Sequence, residues 1–238
     1  MDQDQKARGV IIPAAGRGIR FGGGTPKQFL LLAGSPIIVH SVRTALGLAG
    51  LHSLVIAVQA DDLAFVAELL ADAGVSDPRI HLVVGSTERQ KSVEAALHHG
   101  SLAEVHTILV HDAVRPLASL LLWNRVATAS EVYGAVVPAI PITDTVKIVN
   151  EHGAITGTSP RSSLVRVQTP QGFNAEVIRA AYSKVDWGKM NATDCSAIVE
   201  QNGGIVIANW LELVLIPEMI SGAVPTFFIK PFSASDLS

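Results

Sequence analysis

The chain reads as an α/β protein with a mostly parallel sheet and helices on both faces. Short runs rich in Val, Ile and Leu alternate with longer helical patterns from residue 9 to about 137, the rhythm of βαβ units. Hydrophobic residues make up 48% and charged residues only 16%, so most elements are buried on more than one side. The 238 residues suffice for one full domain, taken as 1–238, whose core needs no metal or disulfide staple.

Five strands are expected at 10–12, 54–58, 81–84, 107–110 and 135–137, each nearly all apolar as a strand covered on both faces must be. Between them, helices are expected near 36–48, 63–73, 90–98 and 117–129. In the second helix Leu63, Val66, Ala67, Leu70 and Ala73 fall on one stripe, and Asp61 or Asp62 is placed to cap its start. Residues 138–167 break the rhythm. Residues 142–149 alternate at period two, and Asn150-Glu151-His152-Gly153 turns the chain into Ala154-Ile155-Thr156, so this segment reads as a β-arm. A lone hairpin is marginal in water, so the arm is expected to pack on the body or on another subunit. Beyond it the pattern predicts a strand at 165–167, helices at 175–182 and 194–201, and a strand at 204–207.

Eighteen basic against 21 acidic residues leave a net charge of -3, too balanced for a chain whose main partner is a nucleic-acid backbone or an anionic membrane. The single cysteine, Cys195, forms no internal disulfide, and the histidines lack the spacing of a zinc site, which points to a reducing cytoplasmic compartment. The N-terminal residues 1–8 are polar and unlike a secretory signal. The apolar stretch 205–220 contains Glu212, Pro217 and Glu218, is too short and charged for a membrane span, and reads as core.

The chemistry concentrates after strands. The segment from Pro13 to Gln28 follows the first strand and holds five glycines with Arg17, Arg20 and Lys27. Glycines let backbone approach a ligand closely, so this is a phosphate-cradling loop in preference to a plain surface loop. It is neither a Walker A loop nor a dinucleotide fingerprint, since Phe21 stands where the third glycine would be. His111-Asp112-Ala113-Val114-Arg115-Pro116 follows the fourth strand. Asp112 suits Mg²⁺ and Arg115 suits an anion, the alternative being an N-cap aspartate paired with a nearby arginine. Residues 85–92 follow the third strand and either contact a base or cap the next helix. Three strand ends with glycine-rich backbone, an acid and several cations fit nucleotide binding and phosphoryl or nucleotidyl transfer. No Ser-His-Asp arrangement or activated cysteine is legible.

These motifs resemble the 2-C-methyl-D-erythritol 4-phosphate cytidylyltransferase family. The resemblance rests on the 13–28 loop, on 85–93 with Glu88, Arg89 and Ser92, and on 110–116. It extends through 141–147 with Asp144-Thr145, Gln168-Thr169-Pro170-Gln171-Gly172-Phe173, and Thr193-Asp194. It implies a single Rossmann-like nucleotidyltransferase domain whose arm, 138–167, mediates a homodimer. It further implies CTP and a polyol phosphate as substrates, with Mg²⁺ as cofactor. By that pattern Arg20 and Lys27 hold the triphosphate, and Pro13, Ala14, Ala15, Gly16, Gly18, Gly85, Ser86, Thr87, Arg89, Ser92, Asp112 and Ala113 surround the nucleotide. Asp112 also helps hold the metal, Arg115 and Thr169 contact the polyol phosphate, and Thr145 and Arg161 reach the active site of a partner subunit. The family's phosphate-binding lysine near the C-terminus corresponds to Lys230. The tail departs from the pattern: 205–228 is longer than expected by roughly a dozen residues, on the logic that connections are short. Cys195-Ser196 also stands where acidic and small residues are typical. The alternatives are a ribitol 5-phosphate cytidylyltransferase, a hexose 1-phosphate nucleotidyltransferase, and a CTP-binding protein with little turnover. Pro13-Ala14-Ala15-Gly16 and Asp144-Thr145 favour methylerythritol phosphate over ribitol phosphate.

Overall fold

The computed structural model describes residues 6–17, 25–190 and 192–210. Within these, the chain runs β1 (Arg8–Pro13), β2 (Leu31–Leu32), β3 (Ser35–Pro36), α1 (Ile37–Leu46), β4 (Leu51–Val58), α2 (Leu63–Asp72), β5 (Ile80–Val84) and α3 (Arg89–Leu97). It continues through β6 (Thr107–Val110), α4 (Leu120–Tyr133), β7 (Ala135–Pro141), β8 (Val146–Val149), β9 (Ile155–Ser159) and β10 (Val165–Val167). The last elements are β11 (Gln171–Asn174), α5 (Ala175–Tyr182), α6 (Cys195–Gln201) and β12 (Ile207–Trp210). The described residues fall into two compact units, 6–138 with 167–209, and a second that holds Ala139–Arg166.

In the first unit the sheet order is β5-β4-β1-β6-β11-β7. Strand β1 pairs in parallel with β4 on one side and β6 on the other, and β4 pairs in parallel with β5. The order therefore reverses between β1 and β6, and open α/β sheets bind ligands at the carboxyl ends of strands at such a switch point. Successive side chains alternate across a strand, which is why both faces of these runs are apolar. Ile11, Val55, Ile108 and Val110 pack with Val93, Ala96 and Leu97 of α3, Ile178 of α5 and Ile198 of α6. Helices α1 and α4 pack together, α1 also on β4 and α4 on β6 and β11.

Several expectations are corrected. An antiparallel strand, β11, lies between β6 and β7, where the pattern showed none. It accepts a helix at very close range: a Cβ at Gly172 would lie 2.7 Å from Val126 Cγ1 and 2.9 Å from Ser130 Oγ on α4. Helix α4 begins at Leu120 instead of residue 117 because Ser119 caps it, its hydroxyl accepting from the Leu122 N–H at 3.3 Å. It ends at Gly134, whose φ of 81° suits glycine. Neither Asp61 nor Asp62 caps α2, since a 3-10 turn (Ala60–Asp62) leads into that helix and the Asp62 side chain makes no cap bond. Of the α2 stripe only Val66 and Leu70 are buried, and Ala67 is exposed. The last described strand starts three residues later than expected, at Ile207.

In the second unit β8 and β9 form an antiparallel hairpin with a register shift between Ile148 and Val149. Asn150 Oδ1 accepts from the His152 and Ala154 N–H groups at 3.1 and 2.9 Å, an Asx turn closed by Gly153 at φ 78°. The expected alternation at 142–145 is not strand; β8 starts at Val146. Arg161 donates from Nη1 to the Thr143 carbonyl at 2.6 Å, within the arm, and Thr145 is exposed. Among the described residues no helix is long and apolar enough to cross a membrane.

Candidate active site

The carboxyl end of β1 delivers Pro13 to Arg17. Ala14 and Ala15 are buried, and the Ala14 N–H donates to Ala57 O at 2.7 Å, continuing the sheet pairing past the strand. Two glutamine amides hold the carbonyls that follow. Gln28 Nε2 donates to Ala14 O at 2.7 Å and Gly16 O at 3.0 Å, and Gln59 Nε2 donates to Ala15 O at 2.6 Å. Gln28 is itself buried and follows Lys27, so these bonds register the 3-10 turn (Lys27–Phe29) against the β1 loop. Arg17 lies 3.8 Å from Asp62. Gly18 and Arg20, and Lys230 at the other end of the chain, lie outside the described residues.

The end of β5 closes against this loop. A Cβ at Gly85 would meet Ala15 Cβ at 2.9 Å and Ser92 Oγ at 3.0 Å, so only glycine permits the approach. The buried Ser92 hydroxyl accepts from the Ser86 N–H at 2.9 Å and lies 2.8 Å from Ser86 O, which fixes the turn into α3. Ser92 thus shapes the Ser86–Thr87 turn, while Thr87 is exposed. The first residue of α3, Arg89, donates from Nε to Asp112 Oδ1 at 2.8 Å and from Nη1 to Cys195 Sγ at 3.3 Å; its Nη2 is buried with no partner among the described residues.

Asp112 and Arg115 follow β6. Arg115 Nε donates to Asp112 Oδ2 at 3.0 Å, and its Nη1 to Gln168 Oε1 at 2.5 Å. Burial alone would raise the Asp112 carboxyl, but the Arg89 and Arg115 guanidiniums outweigh it and hold the group below the usual carboxylate range. Beneath it sits His111, whose Nε2 lies 3.1 Å from Arg115 O and must be the protonated nitrogen, since a carbonyl only accepts. Nδ1 then accepts from the Thr169 hydroxyl at 3.0 Å, and Thr169 Oγ1 accepts from the Asp112 N–H at 3.3 Å. Burial pushes the His111 imidazole down to about 4, so the ring is neutral at physiological pH and fixes this proton order. Thr169, expected at the polyol phosphate, therefore also orients the Asp112 backbone. Ala113, buried, accepts at its carbonyl from Ser41 Oγ at 3.1 Å.

A cavity of about 330 Å³ opens beside this network, lined by Arg89, Asp112, Arg115, Gln168, Thr169 and Asp194 among others. Gln168, Gln171 and Asp194 are polar lining residues that stood in the sequence only as members of the matching motifs, with no role of their own. One guanidinium bond to each Asp112 oxygen leaves each a second lone pair, so this carboxylate fits a hard cation whose remaining ligands are phosphate oxygens and water. Among the described residues no three His, Cys, Asp or Glu side chains converge on a metal position. Thr145 and Arg161 lie on the arm, in the other unit.

Residues 9–208 match the family model described as 2-C-methyl-D-erythritol 4-phosphate cytidylyltransferase. The chain belongs to that family. A protein of that name from Bacillus cereus is 37% identical over 213 residues, covering 88% of this chain and 92% of the relative. One from Acidobacterium capsulatum is 36% identical over 205 residues, covering 83% and 85%. Among solved structures, the 4-diphosphocytidyl-2C-methyl-D-erythritol synthase of Anaerococcus prevotii superposes with a TM-score of 0.75 at 27% identity, covering 88% of this chain and 89% of that one. The cytidylyltransferase of Thermus thermophilus gives 0.66 at 27% identity, covering 90% and 94%. The family match stops at residue 208, so Lys230 lies beyond it as well.

Proposed function

We propose that the chain joins CTP and 2-C-methyl-D-erythritol 4-phosphate to give 4-diphosphocytidyl-2-C-methyl-D-erythritol and pyrophosphate, an isoprenoid-precursor step. The observation that carries this reading is one continuous set of contacts at the β1–β6 switch point. Gly85 packs on the Ala15 loop, Ser92 fixes the turn into α3, and Arg89 at the start of α3 ties Asp112, which in turn ties Arg115. The loop and cavity thus supply a nucleotide side and an anion side.

The reaction brings an anionic nucleophile against an anionic triphosphate, so positioning and charge neutralisation carry it. Lys27, with Arg20, is assigned to the triphosphate, Lys230 to phosphate binding, and Ala14, Ala15, Gly16, Ser86 and Thr87 to the nucleotide. Arg115 grips the polyol phosphate through its planar fork, with Gln168 and Asp112 holding the guanidinium in place. Mg²⁺ bound at Asp112 would neutralise phosphate charge during transfer. The matches described above carry the methylerythritol description, and none supports the ribitol 5-phosphate alternative. The arm is assigned to a homodimer in which Thr145 and Arg161 serve a partner's site. Its exposed Ile148, Val149 and Ile155 support that assignment, because a two-stranded hairpin with apolar side chains in water needs a covering surface. A cytoplasmic location is assigned on the single unpaired cysteine.

The test is pyrophosphate release from CTP and Mg²⁺ with methylerythritol 4-phosphate, ribitol 5-phosphate and glucose 1-phosphate in parallel. Release with the first alone is expected. Release with another, and not with the first, would move the activity to that substrate.

A further inference from the structure

The cavity is lined by two carboxylates with different partners. Asp112 faces two guanidiniums. Asp194 has no cation within ion-pair distance among the described residues and is held by neutral donors alone. Its Oδ1 accepts from the Ala197 N–H at 2.9 Å and from Ser196 Oγ at 2.8 Å, and its Oδ2 accepts from Gln171 Nε2 at 2.8 Å. Gln171 is in turn fixed, since the Cys195 N–H donates to its Oε1 at 3.2 Å and the side chain is buried. Among the described residues this consumes both lone pairs of Oδ1 and one of Oδ2, leaving one acceptor site on a firmly held carboxylate that lines the cavity. An unneutralised carboxylate is unfavourable in a pocket that takes a phosphate unless the same ligand brings it a proton donor. A polyol phosphate does so, because its hydroxyls are donors at a distance from its phosphate.

We propose that Asp194, oriented by Gln171, accepts a hydrogen bond from a hydroxyl of the bound polyol phosphate and so determines which polyol phosphates are used. The inference rests on the substrate reading given above. A charged acceptor discriminates strongly, because an analogue lacking the hydroxyl leaves the half-buried Asp194 oxygen facing the ligand without a partner. It also selects against compact phosphates with no hydroxyl at that position. Asp194 is a specificity-determining residue, and Gln171 is a positioning residue acting through it.

The experiment compares wild type with Asp194→Asn and Asp194→Ser, using methylerythritol 4-phosphate and its three monodeoxy analogues. Both variants keep an N-cap acceptor for α6, and thermal melting confirms that each folds. For wild type, one of the three analogues should lose about 10- to 100-fold in kcat/KM, the loss expected of a charge-assisted hydrogen bond. In both variants the full substrate should lose a similar factor through KM, while that analogue loses little further and KM for CTP is unchanged. Equal losses for the full substrate and every analogue would overturn the assignment, since they would mark a purely structural aspartate. A raised Mg²⁺ requirement with no dependence on the analogue would overturn it too, by placing Asp194 at the metal. A wild type that ignores methylerythritol 4-phosphate but uses another polyol phosphate would defeat the substrate reading separately, and the same comparison with deoxy forms of that compound would still decide the role of Asp194.

Discussion

Replacing Asp112 by Asn keeps the shape of the residue that links α3 to the β6 loop and removes its charge. In the folded chain the carboxylate is 23% exposed and its partners Arg89 and Arg115 are 24% and 40% exposed. Stripping one partner from a fully buried ion pair costs about 3–5 kcal/mol, and partial solvation at Arg89 brings that pair down to roughly 2–3 kcal/mol. The more exposed Arg115 pair adds no more than about 1 kcal/mol. Asp112→Asn should therefore destabilise the chain by about 3 kcal/mol, a loss of roughly 6–12 °C in Tm for a protein of this size. The Asp112 carboxyl lies below its ordinary range when folded, so its contribution is complete at neutral pH. That contribution disappears only as the pH falls below the ordinary aspartate value and through the folded one. Melting at pH 7 reads the stability, and a Mg²⁺ titration of turnover should shift to higher concentration. An unchanged Tm would refute the argument that Asp112 binds two arginines into one network, and an identical metal titration would remove it from the metal site.

Lys27→Ala should lower kcat by about 100-fold or more, as loss of a charge-stabilising group does, with little change in Tm; unchanged turnover would sink its assignment to the triphosphate. Mixing inactive Lys27→Ala with inactive Arg161→Ala should restore activity if the arm completes a partner's site, and no recovery despite verified subunit exchange would argue against shared sites. His111 is held near 4 against an ordinary 6.5, so the folded chain resists protonation and loses stability as pH falls between those values. Denaturant titrations should show about 2 kcal/mol lost from this group between pH 6.5 and 4.5, a slope that His111→Gln removes; a variant with the same slope would assign the effect elsewhere. Gln28→Leu should raise KM for CTP more than KM for the polyol phosphate, because Ala14 and Gly16 lose their clamp. Equal changes in both would make Gln28 a purely structural residue.

Elements fixed by burial on both faces were legible in the residues alone. The strand Thr107–Val110 and the helix Ala175–Tyr182 stand where periodicity places them, because their apolar spacing has one solution. Strand β11 was hidden because Gln171 and Gly172 look like a loop. The Gln171 amide is satisfied, among the described residues, by Asp194 and the Cys195 N–H, both more than 20 residues away, and Gly172 allows the approach of α4. The site was legible in its charges, and the alternative noted for Asp112, pairing with a nearby arginine, is also present in the fold. Gln28 and Gln59 left no signal of periodicity or spacing, since their bonds to the β1 loop span 12 to 44 residues. The one available cue for Gln28 was its place directly after Lys27.

In the proposed reaction one sheet edge brings a polyol phosphate against the α-phosphorus of CTP. CTP radiolabelled at the α-phosphate, incubated with methylerythritol 4-phosphate and Mg²⁺, tests it most directly. The label should move into a cytidine diphosphate conjugate of the polyol, with unlabelled pyrophosphate released in equal amount. Label that stays in CTP, or emerges as free CMP, would contradict it.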